Sequence, residues 1–165
     1  MSTLGKLSPR LAMAALGFVS AGSVLLALLA QHKFGMEPCP WCILQRMLFV
    51  LIAVLCLLAA AVPATLWRRL MSLLILPVAV SGVAAALWQH FVAAKSSSCA
   101  LTLADKIITY FGLDTRWPEV FEVRANCADA AASILGVPFE FWSLALFALV
   151  GIVCLYSAVT ADRRA

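Results

Sequence analysis

Four long stretches of the chain contain apolar and small residues but no charged side chain. They cover residues 11–30, 47–62, 70–88 and 141–160, and the second reaches back to residue 43 if Gln45 and Arg46 are included. A helix needs about 20 apolar residues to cross the hydrocarbon core of a bilayer. The pattern therefore predicts an all-α membrane protein, a bundle of four transmembrane helices at residues 11–30, 43–62, 70–88 and 141–160.

Composition supports this interpretation. Hydrophobic residues make up 64% and charged residues 12% of the 165 positions, whereas soluble domains have about 45–50% and about 25%. We therefore expect a single integral-membrane domain over residues 1–165. The first apolar stretch is longer than the about 7–15 residues of a signal peptide and is not followed by a suitable cleavage site. We expect it to be a retained helix.

The distribution of charge predicts the orientation of the chain. Loops rich in Lys and Arg remain in the cytoplasm. One predicted side has six basic residues and one acid, and the other has six basic residues and seven acids. The basic residues of the first side are Lys6, Arg10, Arg68, Arg69, Arg163 and Arg164. Both termini should therefore be cytoplasmic, and the loops at residues 31–42 and 89–140 should lie outside the cytoplasm.

Four of the six cysteines lie in these two outer loops, and the other two lie within predicted spans. Cys39 and Cys42 are in the first loop, Cys99 and Cys127 are in the second, and Cys56 and Cys154 are the two within spans. Disulfides persist in oxidising compartments outside the cytoplasm. The four loop cysteines are therefore candidates for disulfide chemistry, and the remaining two are expected to be small buried apolar residues.

The first pair forms a C-x-x-C motif at the start of the second predicted span, Cys39-Pro40-Trp41-Cys42. Two intervening residues bring the sulfurs close together, and the amides and dipole of a helix N-terminus stabilise a thiolate. Arg46 follows Cys42 by four residues and should share its helix face. An arginine at the edge of a span is costly. We therefore interpret Arg46 as stabilising the Cys42 thiolate and binding an oxygen of an electron acceptor, rather than as a snorkelling interfacial side chain.

The second loop shows helical spacing of its apolar residues. It should contain short helices that lie in the headgroup plane, so the loop would float on the membrane. A disulfide between Cys99 and Cys127 would then either relay electrons or simply staple the loop. His90, at the outer end of the third span, is either a hydrogen-bond partner at the interface or a proton donor to an acceptor.

Three functions other than an electron relay through the loop cysteines are compatible with parts of this pattern. The four loop cysteines could form a structural zinc site. The chain could be a redox-inert tetraspan scaffold with structural disulfides. It could also be similar to vitamin K epoxide reductases, although in that family the C-x-x-C motif lies late in the bundle.

Several segments resemble the bacterial disulfide bond formation protein B (DsbB) family. They are residues 38–46 (PCPWCILQR), Cys127-Ala128, residues 135–138 (LGVP) and residues 142–144 (WSL), and the resemblance covers essentially the whole chain. Gln45 and Gln89 stand where some members have acidic residues, and we expect neither glutamine to touch the chemistry.

The resemblance implies a function and a role for each candidate residue. It implies an inner-membrane enzyme that reoxidises a periplasmic dithiol oxidase of thioredoxin fold (DsbA-like) and passes electrons to ubiquinone or menaquinone, with no nucleic-acid partner. By position, Cys99 would form a mixed disulfide with the partner, Cys127 would exchange with Cys39, and Cys42 would face the quinone. Arg46 matches the quinone-site arginine of the family, and His90 lies where some members have a histidine near the quinone. The resting disulfides could be the two loop pairs or a bond between the loops.

Overall fold

The computed structural model describes residues 8–95, 102–130 and 133–160. Four long helices dominate it: α1 (Pro9–Phe34), α2 (Pro40–Ala61), α3 (Thr65–Phe91) and α7 (Phe139–Thr160). Each is long and apolar enough to cross a membrane. The predicted four-helix bundle is confirmed, and the protein is a multi-pass membrane protein.

Local sequence signals explain where the helices begin and end. Ser8 caps α1 by accepting a hydrogen bond from the amide of Leu11 at 3.3 Å, and α1 ends at Gly35, whose φ of 64° is a left-handed conformation that glycine adopts without strain. Proline is the first residue of both α1 and α2, where its missing N–H costs nothing. Three residues, Val62, Pro63 and Ala64, connect α2 to α3.

The central core lies where α1, α2, α3 and α7 meet. Phe49 of α2 stacks on Phe147 of α7 with ring centroids 3.9 Å apart. Gly82 of α3 lies directly against the Phe147 ring, so that a side chain at this position would collide with it. The outward surfaces of the same helices expose large apolar side chains, as expected for a surface that faces lipid; they include Phe18, Leu26, Leu66, Ile152 and Tyr156.

The connection between α3 and α7 contains the predicted short helices. They are a 3₁₀ turn at Ala93–Lys95, α4 (Leu103–Phe111), α5 (Leu113–Arg116) and α6 (Pro118–Phe121). A two-stranded hairpin of β1 (Ser133–Ile134) and β2 (Val137–Pro138) then leads into α7. Thr102 and Asp105 form a reciprocal capping box at the start of α4.

The loop differs from the floating segment that the sequence suggested, because α4 packs against the start of α2. Ala104 and Ile108 of α4 are buried, Ala104 among the residues around Cys39 and Ile108 against Ile43 and Phe121. Leu103 and Phe111 are exposed. Helical spacing identified the apolar residues of α4, but it could not show which of them face α2.

Candidate active site

Cys39 and Cys42 lie at the N-terminus of α2. Cys39 is the N-cap residue, and its Sγ accepts a hydrogen bond from the Cys42 amide at 3.3 Å. The two Sγ atoms are 2.8 Å apart. Pro40 at the first helical position fixes the turn between them. The pair is therefore placed for reversible disulfide formation at a helix N-terminus, as the C-x-x-C spacing predicted.

Cys127 of the second loop lies against Cys39. Both belong to one buried cluster with Trp41, Leu44 and Ala104. The segment before Cys127 is held to the first loop by two hydrogen bonds, since the amides of Arg124 and Ala125 donate to the Pro38 carbonyl at 3.0 and 3.3 Å. The fold thus brings a cysteine of the second loop to the C-x-x-C motif, across 88 positions of sequence.

The electrostatics of this contact are asymmetric. A hydrogen bond from the Cys39 thiol lowers the pKa of Cys127, with burial opposing the effect. The pKa of Cys39 is raised by its hydrogen bonds to Cys127 and Cys42 and by burial. Cys127 is therefore the sulfur of this contact that favours the thiolate, which is the nucleophile in disulfide exchange. Cys99, the proposed partner-facing cysteine, lies outside the described residues.

Arg46 is buried one turn below Cys42, with 7% of its surface exposed. Its Nη1 donates to Gln31 Oε1 at 2.7 Å and to the Val120 carbonyl at 3.0 Å, and its Nη2 donates to the Ala27 carbonyl at 3.5 Å. The guanidinium is directed into the protein and does not extend to solvent as a snorkelling arginine would. It ties α1, α2 and α6 together beside Cys42.

Two glutamines complete the surroundings of Cys42. Gln89 Nε2 donates to the Cys42 Sγ at 3.3 Å, and Gln45 Nε2 donates to Gln89 Oε1 at 2.7 Å. The expectation that neither glutamine touches the chemistry was wrong for Gln89. Gln45 follows Cys42 by three residues, so its face was readable from helical spacing. Gln89 comes from α3, and only the packing of α3 on α2 reveals its contact.

His90 is hydrogen-bonded to Glu140 at the start of α7, with 2.7 Å between His90 Nδ1 and Glu140 Oε1. The His90 ring also lies against Phe91 and Phe141. In the sequence, Glu140 is one of the seven acids assigned to the outer loops. The structure makes it the buried partner of His90, with 8% of its surface exposed.

A cavity of about 840 Å³ opens beside Cys42 at this end of the bundle. Its walls are mostly apolar and come from α1, α2 and α7; they include Val24, Leu26, Leu29, Phe49, Phe139, Trp142 and Leu146. Its polar lining includes Cys42, Gln45, Arg46, Gln89, Glu37 and Glu140. His90 is not among the lining residues and reaches the cavity through Glu140. The cavity suits an apolar molecule with a polar, electron-accepting end placed near Cys42.

The two remaining cysteines lie away from this site. Cys56 and Cys154 are fully buried in the central core of the bundle, among Phe49, Ile52 and Phe147. They have the apolar surroundings that the sequence predicted.

Comparison with known proteins agrees with this arrangement. The family model described as disulfide bond formation protein DsbB matches residues 9–157. Disulfide bond formation protein B 1 of Pseudomonas putida is 31% identical over 84% of this chain and 83% of its own length. Disulfide bond formation protein B of Ralstonia nicotianae is 31% identical over 88% of this chain and 91% of its own. The names of the family model and of these relatives indicate an oxidoreductase role in disulfide bond formation. The transmembrane bundle, the assembled cysteines and these relatives together show that the chain belongs to the DsbB family.

Proposed function

We propose that the protein reoxidises a periplasmic, DsbA-like dithiol oxidase of thioredoxin fold and passes the electrons through its two cysteine pairs to ubiquinone or menaquinone. The observation that carries the proposal is the meeting of Cys39, Cys42 and Cys127 beside an apolar cavity that Arg46 lines. In sum, the partner dithiol loses two electrons and two protons and becomes a disulfide, and the quinone gains both and becomes a hydroquinone.

The relay runs as a series of thiol–disulfide exchanges. A partner thiolate attacks Cys99 of a Cys99–Cys127 disulfide, which releases Cys127 as a thiolate. Cys127 then attacks Cys39 of the Cys39–Cys42 disulfide, and Cys42 leaves as a thiolate. The partner's second thiolate displaces Cys99 and completes the partner disulfide, and Cys99 then attacks Cys127, which re-forms the Cys99–Cys127 disulfide and frees Cys39. The contact between Cys127 and Cys39, and the lowered pKa of Cys127, support this second exchange.

The last electron transfer takes place at Cys42. Gln89 donates a hydrogen bond to the Cys42 sulfur, and the helix N-terminus adds its dipole, so both favour a thiolate there. Arg46 lines the same cavity and supplies a positive charge for the oxygen that gains negative charge as the quinone is reduced. The apolar walls fit the ring and the first part of an isoprenoid tail.

The energetics favour a quinone as the acceptor. DsbA itself is known to have a reduction potential of about −120 mV, and for a two-electron couple about 30 mV corresponds to 1.4 kcal/mol. Reoxidising so strong an oxidant requires an acceptor of still higher potential. A quinone dissolved in the same bilayer meets this requirement.

Charge supports the proposed orientation in the inner membrane, with both termini in the cytoplasm and the redox loops in the periplasm. Arg10 lies at the end of the bundle away from Cys39, where it donates to the carbonyls of Ala60 and Ala61 at 3.1 and 3.5 Å. Arg68 and Arg69 follow the α2–α3 connection at the same end. Basic residues at the cytoplasmic ends of spans are typical of such proteins.

The test is quinone reduction by the purified protein, driven by a reduced thioredoxin-fold dithiol oxidase, with each loop cysteine replaced by serine in turn. We expect Cys99→Ser to block oxidation of the partner, and Cys42→Ser to block reduction of the quinone. Normal turnover by Cys99→Ser would contradict the relay. Metal analysis together with thiol counting separates the relay from a structural zinc site.

Orientation has its own measurement. A membrane-impermeant maleimide added to intact spheroplasts should label loop cysteines after mild reduction, with the fully buried Cys39 reacting slowly, and should leave Cys56 and Cys154 unlabelled. Labelling of the loop cysteines only after the membrane is opened would contradict the proposed orientation.

A further inference from the structure

Glu140 occupies an unusual position between the cavity and water. It lines the cavity that Cys42 and Arg46 also line, and it is 8% exposed. Its carboxyl is hydrogen-bonded to His90, whose side chain is 31% exposed. A continuous pair of proton-binding groups therefore joins the partly exposed imidazole of His90 to the inside of the cavity.

Burying a carboxyl group at this place has a cost. An acid near the apolar part of a bilayer is destabilising unless it is paired, and acids in such positions commonly serve proton transfer. A structural need for polarity at the start of α7 would be met by an uncharged residue. The combination of a carboxyl and an imidazole adds the ability to exchange protons, which Gln45 and Gln89 lack.

We propose that Glu140 is a catalytic residue that donates a proton to the oxygen of the acceptor bound in the cavity, and that His90 resupplies Glu140 from water. The inference rests on the proposed quinone reduction. As the Cys39–Cys42 disulfide re-forms, two electrons leave the sulfurs for the quinone, whose two oxygens take up two protons. The partner's two thiol protons are released to water during the exchanges. Glu140 and His90 form a path by which such protons reach the cavity.

The other charged or titratable groups that line this cavity do not fill the role as well. Arg46 keeps its proton under all ordinary conditions, so it stabilises charge without donating a proton. Cys42 is the electron donor itself. Glu37, in the connection between α1 and α2, also lines the cavity but is exposed and has no contact with His90 in the described structure. Glu37 is therefore the competing acid that an experiment must separate from Glu140.

The experiment measures the two half-reactions of the full-length protein separately. Oxidation of the reduced dithiol partner in a single turnover without quinone reports the exchanges among the cysteines. Reduction of a soluble short-chain ubiquinone by the pre-reduced protein reports the step in the cavity. Glu140→Gln keeps the size of the side chain and its ability to hydrogen-bond His90, so the fold should be retained.

We expect Glu140→Gln to slow quinone reduction about 100-fold, in line with the contribution of a general acid, and to leave partner oxidation within about twofold. Glu140→Asp should recover part of the rate. His90→Ala should slow quinone reduction about tenfold, and added imidazole should restore it. The exposed control Glu119→Gln should leave both half-reactions within about twofold, and Glu37→Gln should slow quinone reduction far less than Glu140→Gln does.

Specific outcomes would overturn the inference. They are a Glu140→Gln protein that reduces quinone at the wild-type rate, an equal loss in both half-reactions, or a loss found in Glu37→Gln instead. A wild-type protein that oxidises its partner but reduces no quinone would overturn the proposed function, and the role of Glu140 with it. If only the proposed role of Glu140 is wrong, the wild-type protein still reduces quinone, so the two failures are distinguishable.

Discussion

Cys39, the N-cap residue of α2, and Cys56, within α2, are both fully buried, yet they have opposite surroundings. Cys39 contacts Cys42 and Cys127 at a helix N-terminus, and Cys42 lines the cavity. Cys56 lies in the middle of the helix among Phe49, Ile52 and Phe147. Burial therefore does not distinguish the proposed redox cysteine Cys39 from Cys56 in the core. What distinguishes Cys39 is its hydrogen-bonding contact with two other sulfurs at a helix N-terminus, one of which, that of Cys42, lines the cavity.

A similar contrast separates the polar side chains at the cysteine-bearing end of the bundle from those in its central core. At the cysteine-bearing end, Arg46, Gln45 and Gln89 are buried and hydrogen-bonded. In the central core, close packing replaces polar contacts, as between Gly82 and Phe147. A buried polar group is expensive unless it is paired. Among the described residues, the buried charged and amide side chains lie at the cysteine-bearing end, whereas the buried polar side chains elsewhere in the bundle are the smaller serines Ser20, Ser72 and Ser157.

The strongest test of the contrast compares Cys42→Ala with Cys56→Ala. Removing the sulfur that passes electrons to the quinone should reduce quinone reduction by at least about a thousandfold. Cys56→Ala should leave the rate within about twofold and reduce the stability of the protein by about 1 kcal/mol, as typical core truncations do. Stopped-flow absorbance of the quinone and thermal unfolding in detergent measure the two effects. A Cys56→Ala protein that folds normally but has lost turnover would break the comparison.

Arg46→Ala should give the next largest effect. Loss of a buried donor to a developing oxyanion typically costs about 100-fold or more in rate, and α6 would also lose its hydrogen bond from Arg46 to the Val120 carbonyl. We expect a higher KM for quinone together with a lower kcat in steady-state assays. Arg124→Ala is the matched control, since the Arg124 side chain is paired with Glu122 at the surface. An unchanged KM in Arg46→Ala would show that the guanidinium only supports the fold.

Gln89→Ala should have a smaller effect, because it removes one hydrogen bond to the Cys42 sulfur. A hydrogen bond to a charged group contributes about 1.5–3 kcal/mol, and the lower end of this range corresponds to a fall of about tenfold in the rate of quinone reduction, which we expect here. Gln45→Ala should cost less, since Gln45 contacts Cys42 only through Gln89. Single-turnover quinone reduction measures both variants. A larger loss for Gln45→Ala than for Gln89→Ala would contradict this order.

The smallest effect concerns the pH dependence of Cys127. A lowered pKa means that the thiolate persists as the pH falls through 9.0, the ordinary value, whereas the raised pKa keeps Cys39 protonated there. In the fully reduced protein, alkylation of Cys127 by iodoacetamide should therefore remain fast below pH 9.0. Cys39→Ala removes the donor thiol and should shift the Cys127 profile to higher pH. Peptide mass spectrometry at several pH values measures both profiles, and identical profiles in the two proteins would refute the proposed cause.

The sequence by itself determined that the protein lies in a lipid bilayer, how many times it crosses the bilayer, and its family. Apolar stretches of 16–20 residues have few alternatives to spanning a membrane. The segment around Cys39, Cys42 and Arg46 identified the family because its spacing is local, within one turn of a helix. The sequence also placed Cys56 and Cys154 inside spans, because each lies within one of the apolar stretches.

The tertiary structure alone decided which distant residues meet. Gln89 comes to Cys42 from another helix, Cys127 comes to Cys39 from the second loop, and Glu140 pairs with His90 across α3 and α7. Helical periodicity gives the face of a residue, but it carries no information about which face of another helix lies opposite. That choice depends on the packing of side chains such as Gly82 and Phe147, which act over the whole bundle.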